Sequence, residues 1–280
     1  MAKSFPKVSA LLKRHVAIPT EHGSWVFLLS PLSIGIFTAG QWKPGALYLI
    51  VAALAAFLLR QPITILTKVF SHRRARQDLA AAWFWMSVYA LFTLLGLIGL
   101  LAHDLGYLLI LVIPGLPVFL WHLYLVSKRA ERHQSGVEII ASGVLALSAP
   151  AAYWTGTETL NAMGWILWIL IWLQSAASIV YAYLRLEQRK LTRVPPLTQR
   201  ICQGSRAILY TTFNLLLAGT LSLSRVLPPL LPMAYLIQWL ETMHGVFSPA
   251  IGVRPTAIGV RQLIISFIFT LVFILTWRLG

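Results

Sequence analysis

The chain has 280 residues, of which 58% are apolar and 11% charged, and it carries a formal net charge of +15. A water-soluble domain devotes about a quarter of its residues to charge because its whole surface faces solvent, so this composition excludes one. A single cysteine, Cys202, excludes an intramolecular disulfide and any cysteine-rich metal site.

In chain order, the basic stretch Lys3–Arg14 comes first. It leads to no short apolar core with a small-residue cleavage site, so the first span is expected to act as an uncleaved signal anchor. Crossing a bilayer core takes about 20 apolar residues at about 1.5 Å each. Nine stretches meet that description, over about 23–40, 44–60, 79–102, 105–127, 137–156, 161–184, 206–225, 227–244 and 258–277. The second and eighth are the weakest; the eighth holds Gln238 and Glu241, with Pro228, Pro229 and Pro232 crowding its start. The expectation is one all-α membrane domain, 1–280, a polytopic bundle of about nine transmembrane helices.

Charge orders these spans. Twenty of the 23 Lys and Arg residues fall in alternate connections, namely Lys3–Arg14, Arg60–Arg76, Lys128–Arg132, Arg185–Arg206, and Arg254 with Arg261. Only Lys43, Arg225 and Arg278 fall in the others. Short basic connections stay in the cytoplasm, which predicts a cytoplasmic N-terminus and an external C-terminus. The basic residues are spread over juxtamembrane loops rather than gathered in a domain, which favours anionic membrane lipid over nucleic acid as their partner.

Two basic connections are long. In the first, Pro62 is placed to start a new helix, and Gln61, Thr64, Lys68 and Ser71 oppose Ile63, Leu66, Val69 and Phe70. That pattern predicts an amphipathic helix at the interface. In the second, Pro195 and Pro196 require a helix to end or restart. Within the fourth span, Pro114-Gly115-Leu116-Pro117 predicts a break whose freed carbonyls need neighbouring partners.

Only eight residues are acidic, and no two stand three or four apart, so no paired-carboxylate Mg²⁺ site lies on one helix face. No cofactor is evident from the residues. Glu21-His22-Gly23 at the mouth of the first span suits a proton-transferring pair, though an interfacial polar cap beside Trp25 explains the same residues. His122 and Arg129, seven apart, share a face of the fourth helix, with Tyr124 and Lys128 on the next stripe. Together with Arg60, Lys68, Arg73, Arg74 and Arg76 they suit a cradle for phosphate or pyrophosphate; a solvated loop obeying the charge rule is the alternative. Gln174 and Asn214 inside spans are expected to hydrogen-bond between helices, and Glu241 with His244 to form a salt-bridged helix end near Arg254 and Arg261.

Pro19-Thr20-Glu21-His22-Gly23-Ser24-Trp25, leading into an apolar helix with Pro31 and Gly35, resembles the YwiC-like family of bacterial membrane proteins. More distantly, Tyr124–Arg129 followed by Gly143, Pro150 and Trp154, and Trp172-Leu173-Gln174, resemble UbiA-type intramembrane prenyltransferases, a nine-span fold. That resemblance implies two Asp-rich Mg²⁺ motifs after the second and sixth spans. Here those places read Arg60-Gln61-Pro62 and Arg185–Lys190, so the Mg²⁺-dependent mechanism does not carry over.

Two readings follow. In one, Arg60, Lys68, Arg76, His122, Lys128, Arg129 and Arg185 bind an isoprenoid or lipid phosphate in a cytoplasm-facing cavity. Glu21 and His22 then supply acid–base chemistry for a metal-independent, prenyltransferase-like enzyme. In the other, the bundle is a non-catalytic carrier or an assembly or regulatory protein, as the poverty of ionisable groups within the spans suggests.

Overall fold

The computed structural model describes residues 11–19, 22–130 and 134–280, with His22 described in its backbone only. Among the described residues all regular structure is helical. A single turn, α1 (Arg14–Ala17), precedes α2 (His22–Thr38), α3 (Gly45–Phe70) and α4 (Leu79–Ala102), with a 3-10 turn at Arg76–Asp78. A 3-10 stretch, Gly106–Leu111, leads into α5 (Val112–Lys128). There follow α6 (Ser135–Ala146), α7 (Ser148–Thr157), α8 (Ala162–Gln188), α9 (Leu197–Leu223), α10 (Pro232–Phe247) and α11 (Pro255–Leu279).

Six of these segments are long and apolar enough to cross a membrane: α3, α4 with its leading turn, α5 with its 3-10 stretch, α6–α7 together, α8 and α11. The other three expected spans are helical but fall short of that measure. Helices α2 and α10 have 17 and 16 residues, and α9 is diluted by Arg200, Arg206, Thr211 and Asn214. Pro195 and Pro196 do separate two helices, since α8 ends at Gln188 and α9 starts directly after Pro196.

Two expectations for proline are revised. Pro62 starts no separate interfacial helix; it lies inside α3, which continues to Phe70. Beyond Pro62 the apolar side chains Ile65, Leu66 and Val69 are buried against Val16, Ala81 and Ala82, so burial on α4 outweighs the lost hydrogen bond. The Pro114–Pro117 run causes no central break either. The span is 3-10 up to Leu111, and α5 begins at Val112, which puts Pro114 in the first turn, where no backbone N–H is required; Pro117 lies inside α5, which continues past it to Lys128.

A hinge lies instead between α6 and α7. The Leu147 N–H bonds to Val144 O at 3.2 Å, leaving the Gly143 carbonyl without its usual helical donor. Trp168 on α8 supplies one, its indole N–H donating to Gly143 O at 2.8 Å, and Trp172 donates likewise to Ile139 O at 2.7 Å. The two indoles stack at 5.2 Å between centroids. Freed carbonyls inside a membrane need such partners.

Small residues set the close approaches. A Cβ on Gly35 of α2 would collide with Ala149 O and the Ala152 side chain of α7, and one on Gly99 of α4 would collide with the Tyr48 ring of α3. Helix α2 lies centrally, touching α3, α6, α7, α8 and α11. Its Leu32 joins an apolar cluster with Leu49, Leu100, Leu105 and Trp154, and its Ile34 joins a second with Leu167, Ile171, Tyr235 and Phe273.

Candidate functional site

A cavity of about 480 Å³ opens between α2, α3, α4, α5, α6 and α7. One stripe of α3 lines it at Leu49, Ala52, Ala53, Ala56 and Arg60, spaced as one helix face. A stripe of α5 faces it at Val112, Gly115, Val118, Phe119 and His122. Alanine and glycine at those positions leave room that larger side chains would fill. Helices α3 and α5 run in the same sense, so Arg60 and His122, the last lining positions on each, mark the same end. From Leu49 to Arg60 the lining extends about 16 Å along the helix, roughly half the thickness of a bilayer core.

The polar atoms of this wall are few. The Ser148 hydroxyl donates to Leu28 O at 3.3 Å and Leu145 O at 2.7 Å, and the Thr93 hydroxyl donates to Tyr89 O at 2.8 Å. Among the described residues the ionisable lining groups are Arg60 and His122; the other described lining side chains are aliphatic, aromatic or small. A cavity of this size, mostly apolar with convergent polar groups at one end, fits an amphiphile.

Sequence reasoning therefore placed two of its nine site residues, Arg60 and His122, on one cavity. The rest are distributed elsewhere. Glu21 lies outside the described residues, and of His22 only the backbone is described, at the start of α2. Lys68 is half-buried two turns beyond Arg60 on α3, and Arg76 is exposed. Lys128 is exposed, its ammonium 5.9 Å from the Tyr124 ring centroid. Arg129 is exposed in a left-handed conformation (φ 62°) that ends α5. None of these three exposed cations lines the cavity.

Arg185 is buried, but it serves a different site. Its guanidinium donates to Gln188 Oε1 at 2.9 Å, Gly245 O at 2.9 Å and Ser248 O at 2.7 Å, neutralising the carbonyls at the C-terminal end of α10. Among the described residues no group of three or more His, Cys, Asp or Glu side chains converges on one point.

Two further polar centres were only partly foreseen. Asp78, 1% exposed, receives Lys13 Nζ at 2.7 Å, His15 Nε2 at 3.3 Å and the Arg74 guanidinium at 2.7 and 3.1 Å. With Trp85 donating to Leu11 O and Tyr89 to Ala17 O, it straps residues 11–17 across the ends of α3 and α4. No local pattern ties Lys13 to Asp78, 65 residues away. The second centre is the pair Glu241–Arg261, which the expected salt-bridged helix end did foresee. Gln174 and Asn214 also bond between helices as expected, to Gln238 Oε1 at 3.5 Å and Leu173 O at 2.9 Å.

Residues 18–153 match the family model described as YwiC-like protein. A Bacillus subtilis (strain 168) protein named "Uncharacterized protein YwiC" is 28% identical over 165 residues, which cover 57% of this chain and 61% of that protein's own length, less than two thirds. No solved structure matches the chain, so the likeness to the UbiA fold gains no support from that side. The matched stretch holds every residue that lines the cavity, from Leu28 to Ala151. The chain is thus a multi-pass membrane protein whose residues 18–153, which build the Arg60 cavity, are similar to the YwiC-like family.

Proposed function

We propose that the cavity binds an anionic amphiphile, an isoprenoid or lipid phosphate. Its tail lies along the aliphatic stripes of α3 and α5 and its phosphate meets Arg60 and His122. The observation that carries this reading is the confinement of ionisable lining groups to one end of an otherwise apolar wall. A guanidinium suits this role because its planar fork matches two phosphate oxygens and it stays charged at any physiological pH. The charge rule puts this end in the cytoplasmic leaflet.

In the catalytic form of the proposal, Glu21 and His22 transfer a proton and the protein is a metal-independent, prenyltransferase-like enzyme. Trp25 supports it: its ring packs edge-on against Phe57 at 4.9 Å, so the first turn of α2 enters at the Arg60 end. A second reading, a non-catalytic carrier or an assembly or regulatory protein, is favoured by a different observation. No carboxylate is among the described lining residues, which leaves few groups for chemistry inside the cavity.

The test begins with mass spectrometry of lipids that co-purify with the protein. Arg60→Ala should lower retention of a phosphate-bearing isoprenoid or lipid about tenfold or more, the scale of a hydrogen bond to a charged group. Ala56→Phe, which fills the cavity while keeping the charge, should do the same. Unchanged retention in both variants would sink the binding proposal. Incubation with a radiolabelled prenyl phosphate separates the two readings: a covalent product that disappears in His22→Ala supports catalysis, and intact bound phosphate supports a carrier or regulator.

A further inference from the structure

Outside the YwiC-like segment, α10 and α11 form a second groove of about 640 Å³. Its wall on α11 is Ala257, Val260, Ile264 and Ile265, one helical face, and its polar end is Arg254, Arg261 and Glu241. The charges there do not cancel. Arg261 is spent on Glu241, with Nε to Oε1 at 2.6 Å and Nη2 to Oε2 at 2.8 Å, and Tyr181 holds the same carboxylate at 2.8 Å. Arg254 is exposed, and among the described residues its side chain has no ion pair or hydrogen bond. The groove therefore carries one net positive charge at its lip.

We infer that this groove holds an anionic phospholipid, its phosphate on Arg254 at the lip and one acyl chain on the Val260–Ile264 face. The site is separate from the Arg60 cavity and stands independently of the function proposed for it. Charge complementarity selects the occupant. A lip with one uncompensated guanidinium favours an anionic headgroup, and an aliphatic wall running about 16 Å from Arg254 to Ile265 requires a hydrocarbon chain rather than a bare phosphate. Buried Glu241 contributes by fixing Arg261, which keeps the groove's floor neutral and leaves selection to Arg254.

The test uses the full chain in phosphatidylcholine nanodiscs doped with a phosphatidylglycerol probe that carries a photoactivatable group on its acyl chain. Cross-linked peptides are mapped by mass spectrometry, which separates this groove from the Arg60 cavity by position. Labelling is expected to concentrate on residues 257–265 and to fall about fivefold in Arg254→Gln, the effect of one basic residue near an anionic surface. Ala257→Trp, at an exposed position, narrows the groove without touching the charge and should lower labelling at Val260–Ile265 to a similar degree. A phosphatidylcholine probe of the same chain should label this face weakly, and inorganic phosphate should not compete. The inference is overturned if either variant labels like the wild-type protein, if the two probes label equally, or if inorganic phosphate displaces the lipid.

Discussion

Arg261 grips Glu241 with two nitrogens, and the carboxylate they share is 6% exposed while the arginine side chain is 46% exposed. The pair is thus asymmetric: losing the arginine strands a buried charge, whereas losing the acid releases a cation that reaches water. Arg261→Gln should cost roughly 1–3 kcal/mol, below the range for a fully buried pair, and Glu241→Gln less. The Arg261→Gln/Glu241→Gln double variant should recover part of the loss. Thermal unfolding in detergent, followed by the fraction that remains monodisperse, gives the order; equal losses in both single variants would contradict the asymmetry.

Asp78 holds three basic side chains from the N-terminal strap and its own preceding loop. Asp78→Ala should free residues 11–17 first, because the cations it releases can be solvated where they stand, at a cost of about 1–3 kcal/mol. Hydrogen exchange at those amides should rise while the core helices stay protected. Unchanged exchange over residues 11–17 would show that Trp85 and Tyr89 suffice to hold the strap.

Trp168→Phe removes the indole N–H that satisfies the Gly143 carbonyl at the α6–α7 hinge. The expected cost is about 1–3 kcal/mol, that of an unsatisfied buried acceptor. Trp165→Phe is the comparison, since among the described residues its indole N–H makes no hydrogen bond. A similar loss in both would mean that ring packing, and not the hydrogen bond, is what matters.

Gly35→Val places a branched side chain where α2 meets the backbone of α7. Helix separation should follow, with a loss of about 1–3 kcal/mol. The same substitution at Gly219, which has open space around it, should be neutral or slightly stabilising, because valine has a somewhat better helix propensity than glycine. Parallel melting curves of the two variants decide this.

What the sequence revealed depended on the range of the interaction. The interhelical bonding of Gln174 and Asn214 and the Glu241 salt bridge rest on strong local signals: a charge or an amide in an apolar helix must find a partner. The bonds from Lys13 and His15 to Asp78 could not be read because they span 65 and 63 residues, unlike the local one from Arg74. The apolar lining of the expected cavity was hidden for another reason. Voids come from small residues on neighbouring helices facing each other, and Ala53, Ala56 and Gly115 look the same in sequence whether they face a gap or a tight contact. The prolines misled because burial of Ile65, Leu66 and Val69 overrides the helix-breaking tendency of Pro62.

Helix α5 is the outer wall of the Arg60 cavity, and it is thinly attached: 6% of its apolar stretch is buried, against 61% for α8. One face of the cavity is therefore closed by the helix with the fewest ties to the bundle, and the lipid phase lies directly behind it. Under the proposed function the ligand enters through this wall from the bilayer, and its occupancy follows its mole fraction within the leaflet, so that diluting the membrane with inert lipid should empty the cavity while diluting the protein in buffer should not.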